Sequence, residues 1–418
     1  MSDKKILFLL YNYPPEYGTA PKRNFRLSDT IKDAFSDYHI ITSKKKNREY
    51  SEKITEINPL DYRYFLRKTT STGTVPEALK KNNVSHFFIK ILNTIPFNIL
   101  FGEGGGIYMY KNYLKAKSLI KSRQFTHIYS SYRPATDHLV ARALKRSFPG
   151  LVWIADFRDL IVDPHYKQQF FPKLHQRIYT RIFASADVLI SISAPFANAL
   201  KRYNPNTIAI PNGVDINLVQ INPVPYPYFT IVYTGSMFLN ERNAEPLFQA
   251  VKHLIEAGKI DNKSVRIIYA GKDSGEWEAL SNKYNCKEIF INKGLVNSED
   301  TIKLQRQANI NVLLTISSDK LQGVLTGKLV EYLEAGSPVL AIVKGQNDPI
   351  LSEMINELNA GMCVSDDSIE GAAIANFIAR EYNEWLQTGR NSRKMNREIL
   401  YRKYSTHHLL QPLMSYLN

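Results

Sequence analysis

The sequence is poor in cysteine: Cys286 and Cys363 are the only two in 418 residues. Two well-separated thiols exclude a disulfide framework and any cysteine-based zinc site, and they fit a reducing cytoplasm. Long apolar runs are lacking too. The most lipid-like stretch, Phe87 to Phe101, is broken by Lys90, Asn93 and Asn98 and is too short to span a bilayer. The basic start before Ile6–Leu10 is not a signal peptide on this reading. The run is short, continues into Tyr13-Pro14-Pro15-Glu16 and precedes no small-residue cleavage site, so a buried first strand is expected. There is no Gly-x-Gly-x-x-Gly fingerprint, no convincing Asp-x-Asp metal pair and no solenoid repeat, and the nine histidines are scattered. A cytoplasmic protein without metal or cofactor is the expectation.

What is present is an ordinary folded composition, 44% hydrophobic and 22% charged, with length enough for two domains. The formal charge of +15 is unevenly placed. Residues 1–220 hold 33 basic and 17 acidic side chains, a balance of +16, whereas residues 221–418 come to −1. A basic surface attracts phosphates, whether of nucleic acid, anionic lipid or a phosphorylated acceptor. No nucleic-acid module is recognisable, so no nucleic-acid partner is expected.

Short continuous apolar runs alternate with helix-length segments throughout. They are Ile6–Leu10, Tyr38–Thr42, His127–Ser130, Val152–Ala155, Val188–Ser191 and Thr207–Ile210, then Phe229–Tyr233, Val265–Ala270, Ile289–Ile291, Ile310–Leu314 and Val339–Val343. Unalternated apolar runs mark strands buried on both faces, as in a helix-covered parallel sheet. Between the two series lies Asn222-Pro223-Val224-Pro225-Tyr226-Pro227, which can continue neither a helix nor a central strand. The predicted fold class is α/β, with two doubly wound, Rossmann-like parallel-sheet domains over residues 1–220 and 221–392. A basic helix is expected over residues 393–418.

Chemistry-bearing residues gather at the ends of these runs, where open α/β sheets place ligands. After the first strand comes Gly18-Thr19-Ala20-Pro21-Lys22-Arg23, with a helix expected from about Asn24. Gly18 lets the backbone approach a phosphate, and Lys22 and Arg23 add positive charge. Ser130-Ser131-Tyr132-Arg133 and Asp156-Phe157-Arg158-Asp159 end two further strands. A surface Asp156–Arg158 pair or an Asp159 helix cap is the structural alternative there. Pro211-Asn212-Gly213-Val214-Asp215 reads alone as a turn. Tyr233-Thr234-Gly235-Ser236 ends a strand of the second series, and Arg242 follows it, placed to neutralise a diphosphate. The most specific stretch is Thr326-Gly327-Lys328-Leu329-Val330-Glu331-Tyr332-Leu333-Glu334-Ala335-Gly336-Ser337-Pro338. Thr326-Gly327 opens a helix with amides available to a phosphate, and Glu331 lies about a turn further on, suited to ribose hydroxyls. Glu334 is expected to face solvent.

The Lys-x-x-Glu-Tyr-Leu-x-Ala-Gly-x-Pro-Val-Leu pattern resembles the nucleotide-binding helix of GT-B glycosyltransferases, especially glycosyltransferase family 4. The Pro-Pro-Glu-x-Gly loop, Asp-Phe-Arg-Asp, Asn-Gly-Val-Asp and Thr-Gly-Ser followed by Arg-Asn agree in order. The resemblance implies an N-terminal acceptor domain, a C-terminal donor domain, a cleft between them and a last helix crossing back to the first domain. It implies metal-independent transfer, with retention, from a nucleotide-sugar such as a UDP- or GDP-sugar. Gly18, Thr19, Gly235, Ser236, Arg242, Thr326, Gly327, Lys328 and Glu331 then bind the donor, and Lys22, Arg23 and Arg133 lie on the acceptor side. Asp156, Arg158, Asp159 and Arg242 are the catalytic candidates, Asp156 or Asp159 orienting the acceptor hydroxyl. Two positions depart from the pattern: Gly323 stands where a glutamate is usual, and Arg158 where a histidine is usual.

The basic first half, with its interleaved aromatic residues (Tyr62–Leu66, Phe87–Phe101), adds an expected peripheral contact with anionic membrane at the cytoplasmic face. A saccharide or lipid-linked acceptor in bacterial surface-polysaccharide synthesis follows as the expected role. The alternatives are a GT-B sugar-nucleotide epimerase, which needs no acceptor, and a two-lobed carbohydrate-binding protein without catalysis.

Overall fold

A computed structural model describes residues 3–15, 18–45, 49, 51–59, 87, 90–102, 104–161, 169–215, 226–237, 242–272, 274–318, 326–366, 371–389 and 394–417. Gly323, Tyr62–Leu66 and most of the proline-rich stretch at 222–227 lie outside these residues. The chain forms two compact units, Met1–Pro211 with Leu410–Asn418, and Asn212–Leu409.

The first unit holds β1 (Lys5–Leu9), β2 (Asp37–Ser43), β3 (Ile54–Ile57), β4 (His127–Ser131), β5 (Val152–Phe157), β6 (Val188–Ser191) and β7 (Thr207–Ala209). They form one sheet in the order β3-β2-β1-β4-β5-β6-β7, and every pairing is parallel. The helices are α1 (Thr19–Ile31), α2 (Phe97–Leu100), α3 (Gly105–Arg123), α4 (Ala135–Ser147), α5 (Pro172–Phe183) and α6 (Ala194–Leu200). Strand β1 shows why its apolar run is unbroken. Leu7 and Leu9 pack with Ile128, Trp153 and residues of α3, α4 and α5, while Ile6, Phe8 and Leu10 pack with Leu27 and Ile31 of α1. Alternate side chains thus enter two separate cores.

The second unit holds β8 (Phe229–Thr234), β9 (Val265–Ala270), β10 (Phe290–Asn292), β11 (Ile310–Ser317), β12 (Val339–Gly345) and β13 (Gly361–Ser365), in the order β10-β9-β8-β11-β12-β13, again all parallel. Around them lie α7 (Glu245–Glu256), α8 (Gly275–Lys283), α9 (Ser298–Gln307), α10 (Gly327–Ala335), α11 (Pro349–Glu357), α12 (Gly371–Thr388), α13 (Arg397–Tyr404) and α14 (Thr406–Leu409). The two doubly wound parallel sheets expected from the apolar runs are present.

Three local readings are corrected. Helix α1 starts at Thr19 instead of Asn24, so Lys22 and Arg23 are helical. The C-terminal segment is not one helix. Ser405 is extended, and after Leu410 a 3-10 turn containing Pro412 leads into Met414–Leu417. Leu400 packs in the second unit, whereas Leu410, Leu413 and Leu417 join the first unit's core beside Ile6 and Phe8. Asn212-Gly213-Val214-Asp215 is more than a turn. Val214 exchanges backbone hydrogen bonds with Tyr404 and Thr406 at 2.9 and 3.1 Å, and a Cβ on Gly213 would strike the Thr406 backbone.

Candidate active site

In each sheet the chain reverses its direction of winding at one place, between β1 and β4 in the first and between β8 and β11 in the second. In doubly wound sheets the loops leaving the strand ends diverge at such a point, and ligands bind outside the carboxyl ends of the strands there.

At the second unit's switch point, β8 ends in Tyr233 and Thr234, and Gly235 follows with φ +128°. This conformation favours glycine. The absent side chain is also needed for space, because a Cβ here would overlap Nζ and Cε of Lys328. Lys328 lies in the first turn of α10, whose start is capped by Thr326 Oγ1 accepting from the Leu329 amide at 3.3 Å. Its Nζ donates to the Tyr233 hydroxyl at 3.3 Å and sits 4.5 Å from that ring's centre. Arg242 Nη1 donates to the same hydroxyl at 3.0 Å and to the Ser236 carbonyl at 2.5 Å. Burial pushes the Lys328 ammonium down to about 7, nearby Arg242 adds to the fall, and Glu331 opposes it. Two basic side chains therefore converge on one phenol beside a helix N-terminus, a combination whose chemistry suits an anionic ligand.

Glu331 follows Lys328 by one turn. Its Oε2 accepts from Gln305 Nε2 at 3.0 Å, and the same amide donates to Thr234 Oγ1 at 2.9 Å. Buried Gln305 on α9 thus ties the carboxylate to the end of β8. Glu334, expected in solvent, is instead buried and accepts from the Asp215 amide at 2.8 Å. Gly235, Ser236, Arg242, Thr326, Gly327, Lys328 and Glu331 are all gathered at this strand end.

At the first unit's switch point, Gly18 (φ +142°) precedes α1, and Gly18 and Thr19 are exposed. Arg23, read as a cation on the acceptor side, points inward and is 3% exposed. Its Nη2 meets Asp156 Oδ1 at 2.7 Å, and its Nε lies 3.1 Å from Oδ2. Asp156 is fully buried, so the proposed surface pair with Arg158 does not form. Arg158 Nε donates to the Tyr132 carbonyl at 2.7 Å, and Asn12 Nδ2 donates to the Arg133 carbonyl at 2.9 Å, fastening the loops after β1, β4 and β5 together. Arg133 Nε and Asp159 Oδ2 stand 4.0 Å apart, both about half exposed. Lys22 is half-buried. Behind this edge Asp137 accepts from the Tyr11 amide (2.8 Å), the Tyr108 hydroxyl (3.2 Å) and Asn112 Nδ2 (3.2 Å). Among the described residues no three His, Cys, Asp or Glu side chains group as a metal site, and no helix is long and apolar enough to cross a membrane.

Residues 37–218 match the family model Glycosyltransferase Family 4, and residues 228–380 match Glycosyl transferases group 1. The chain belongs to the GT-B glycosyltransferases. Solved structures of the same architecture include sucrose-phosphate synthase from Thermosynechococcus elongatus (16% identity, TM-score 0.60, 99% of this chain and 98% of that one). The α,α-trehalose-phosphate synthase (UDP-forming) from Burkholderia xenovorans gives 13% identity and TM-score 0.60 over 99% of both chains. The lipopolysaccharide outer core galactosyltransferase WaaB gives 11% identity and TM-score 0.51 over 99% of both. No curated protein sequence matches the glycosyltransferase significantly.

Residues around this glycosyltransferase's strand ends that the sequence left unread are Tyr233, as the shared partner of two cations, and Gln305. Tyr233 was visible as a strand-end residue. Gln305 belongs to a polar helix, and nothing local distinguishes it from the solvent-facing residues around it.

Proposed function

We propose that the enzyme moves a sugar from a nucleotide-sugar donor to a saccharide or lipid-linked acceptor, with retention and without a metal, in the assembly of a bacterial surface polysaccharide. The observation that carries this reading is the convergence of Lys328 and Arg242 on Tyr233, one turn from Glu331. The second unit is the donor unit on this reading. As the bond from the anomeric carbon to the phosphate oxygen breaks, its electron pair passes to the diphosphate. Arg242, Lys328 and the first-turn amides of α10, with Gly327 among them, stabilise that charge where it grows. Glu331 receives the ribose hydroxyls, its carboxylate held in place by Gln305.

The first unit takes the acceptor. Arg158, Arg133 and Asp159 are its presented polar groups, Asp159 being the one available to orient a hydroxyl. Buried Asp156 is a positioning residue that holds Arg23 and through it α1. The acceptor is met at an anionic membrane surface, a reading supported by the +16 balance of residues 1–220.

Thermal unfolding with a panel of nucleotide-sugars tests the donor, because a ligand bound only by the folded state raises the midpoint. UDP-sugars come first, since one structural relative is UDP-forming. The stabilising donor should be turned over with acceptor, and Arg242→Ala and Glu331→Ala should each abolish that turnover. Unchanged turnover in both variants would sink the site.

A further inference from the structure

The first unit carries a surface that its fold leaves unexplained. Among the described residues, nine of the fourteen exposed large apolar side chains fall within residues 87–114 and 171–174. On α3 the exposure is ordered. Tyr108, Asn112, Ala116, Leu119 and Ile120 face the core, while Ile107, Tyr110 and Leu114 stand 47%, 63% and 47% exposed on the opposite side. At 100° per residue these three form a stripe. Exposed Lys111 and Lys115 flank it on one side and Lys117 on the other. The usual surface helix turns polar residues outward. This one turns an apolar stripe outward between lysines.

Neighbouring segments extend the surface. Leu100, at the end of α2, lies against the start of α3, its Cδ2 3.7 Å from where a Gly106 Cβ would sit. Phe97 and Phe101 stack with ring centres 6.4 Å apart. Asn98 Nδ2 reaches the Tyr179 hydroxyl at 3.4 Å, and the Ile95 amide reaches His175 Nε2 at 3.2 Å, so α5 is tied alongside. There Leu174 is exposed, with Lys173, Arg177 and Arg181 beside it. Over residues 87–123 and 169–185 the sequence has nine Lys and Arg and a single acidic residue, Glu103.

We infer that this surface, α3 with the adjoining ends of α2 and α5, docks the enzyme on an anionic lipid bilayer, with Ile107, Tyr110 and Leu114 entering the headgroup–acyl boundary. Charge complementarity selects the occupant. Lysines bordering an apolar stripe place their ammonium groups at headgroup level while their stems lie along the apolar zone. A surface with almost no carboxylates fits a uniformly anionic plane, and a protein partner would ordinarily present charges of both signs. The inference deepens the acceptor side of the function proposed above.

The test is co-sedimentation of the full chain with vesicles of phosphatidylcholine alone or mixed with phosphatidylglycerol. The wild-type protein should bind the mixed vesicles, and added salt should weaken that binding. Lys111→Glu/Lys115→Glu should lose on the order of tenfold or more in apparent affinity. Tyr110→Ser/Leu114→Ser should lose a similar factor while keeping the salt dependence. Circular dichroism and donor-induced thermal stabilisation should match the wild-type protein in both variants. Equal binding to both kinds of vesicle, or unchanged binding by the Tyr110/Leu114 variant, overturns the inference. Vesicle binding without stabilisation by any nucleotide-sugar leaves the docking surface standing and overturns the donor assignment instead.

Discussion

Lys328 Nζ rests over the ring of Tyr233, 4.5 Å from its centre and 3.3 Å from its hydroxyl, with Arg242 held by the same hydroxyl. Burial, with Arg242 nearby, pushes this ammonium down to about 7. Binding a diphosphate beside it must raise that value, because the anion favours the charged form. The diphosphate of a nucleotide-sugar is esterified at both ends and does not itself take up a proton in this range. Donor affinity should therefore be full below about pH 7 and fall above it, by up to about tenfold per pH unit for one linked proton. Calorimetry in buffers of different ionisation enthalpy should register proton uptake rising with pH. Lys328→Met should bind more weakly and show no such uptake. A wild-type affinity that stays flat through this window would exclude Lys328 as a phosphate contact.

Gly235 makes that arrangement sterically possible. Alanine at this position meets two obstacles, a backbone at φ +128° and a Cβ placed on the end of Lys328. The backbone conformation alone costs a non-glycine residue about 1–3 kcal/mol. Because the side chain of Lys328 is flexible at its end, it would swing away and leave Tyr233. Gly235→Ala should fold with a lowered urea midpoint and lose at least about tenfold in donor affinity, the scale of one charged contact. Wild-type affinity in a folded Gly235→Ala protein would show that the position of Lys328 does not matter.

The parts of this fold that the sequence announced are those that local physics determines. Strands buried on both faces carry unbroken apolar stretches, Ile6–Leu9 in β1, Trp153–Ala155 in β5 and Val339–Val343 in β12, and so stand out. The two unread strands, β3 (Ile-Thr-Glu-Ile) and β13 (Gly-Met-Cys-Val-Ser), are sheet edges, where partial exposure admits polar residues and glycine. The residues gathered at the end of β8 were legible because one strand end and one helix start carry nearly all of them. Other features depend on distant pairings. Arg23 and Asp156 are 133 residues apart, and nothing near either one says that they meet. Glu334 appeared solvent-facing from its spacing to Glu331, yet its burial is decided by Asp215, 119 residues earlier. The helix start expected near Asn24 lies five residues earlier, at Thr19, with Pro21 inside the first turn, where the amide it lacks has no helical partner to lose.

Asp137 makes the first unit's stability depend on pH. Burial pushes its carboxyl up to about 7 despite three donors that oppose the shift. Its folded value lies above the unfolded one near 3.8, so the folded state binds the proton more tightly. Its contribution is then fully present below about pH 4 and is lost as pH rises to about 7. Asp137→Ala should remove this slope from unfolding free energies measured across that window. It should also lower stability by about 2 kcal/mol or more at low pH, since the Tyr11 amide, Tyr108 and Asn112 lose a shared acceptor. An identical pH slope in the variant would mean that Asp137 stays ionised in the folded protein.

The Arg23–Asp156 pair separates a structural role from a chemical one. Both side chains are buried, at 2% and 0% exposure, and they face each other at 2.7 Å. Removing one charge strands the other in a low-dielectric interior, which typically costs about 3–5 kcal/mol. Arg23→Met and Asp156→Asn should each destabilise on that scale in urea unfolding. The double variant should cost much less than the sum, because no unpaired charge remains. If Asp156 only positions α1, the double variant should keep most of its kcat while the acceptor KM rises as the loop after β1 loosens. If Asp156 instead exchanged a proton with the acceptor, kcat would collapse in Asp156→Asn and in the double variant alike. The comparison of kcat between a destabilised single variant and a restabilised double variant therefore decides whether this buried carboxylate takes part in the reaction.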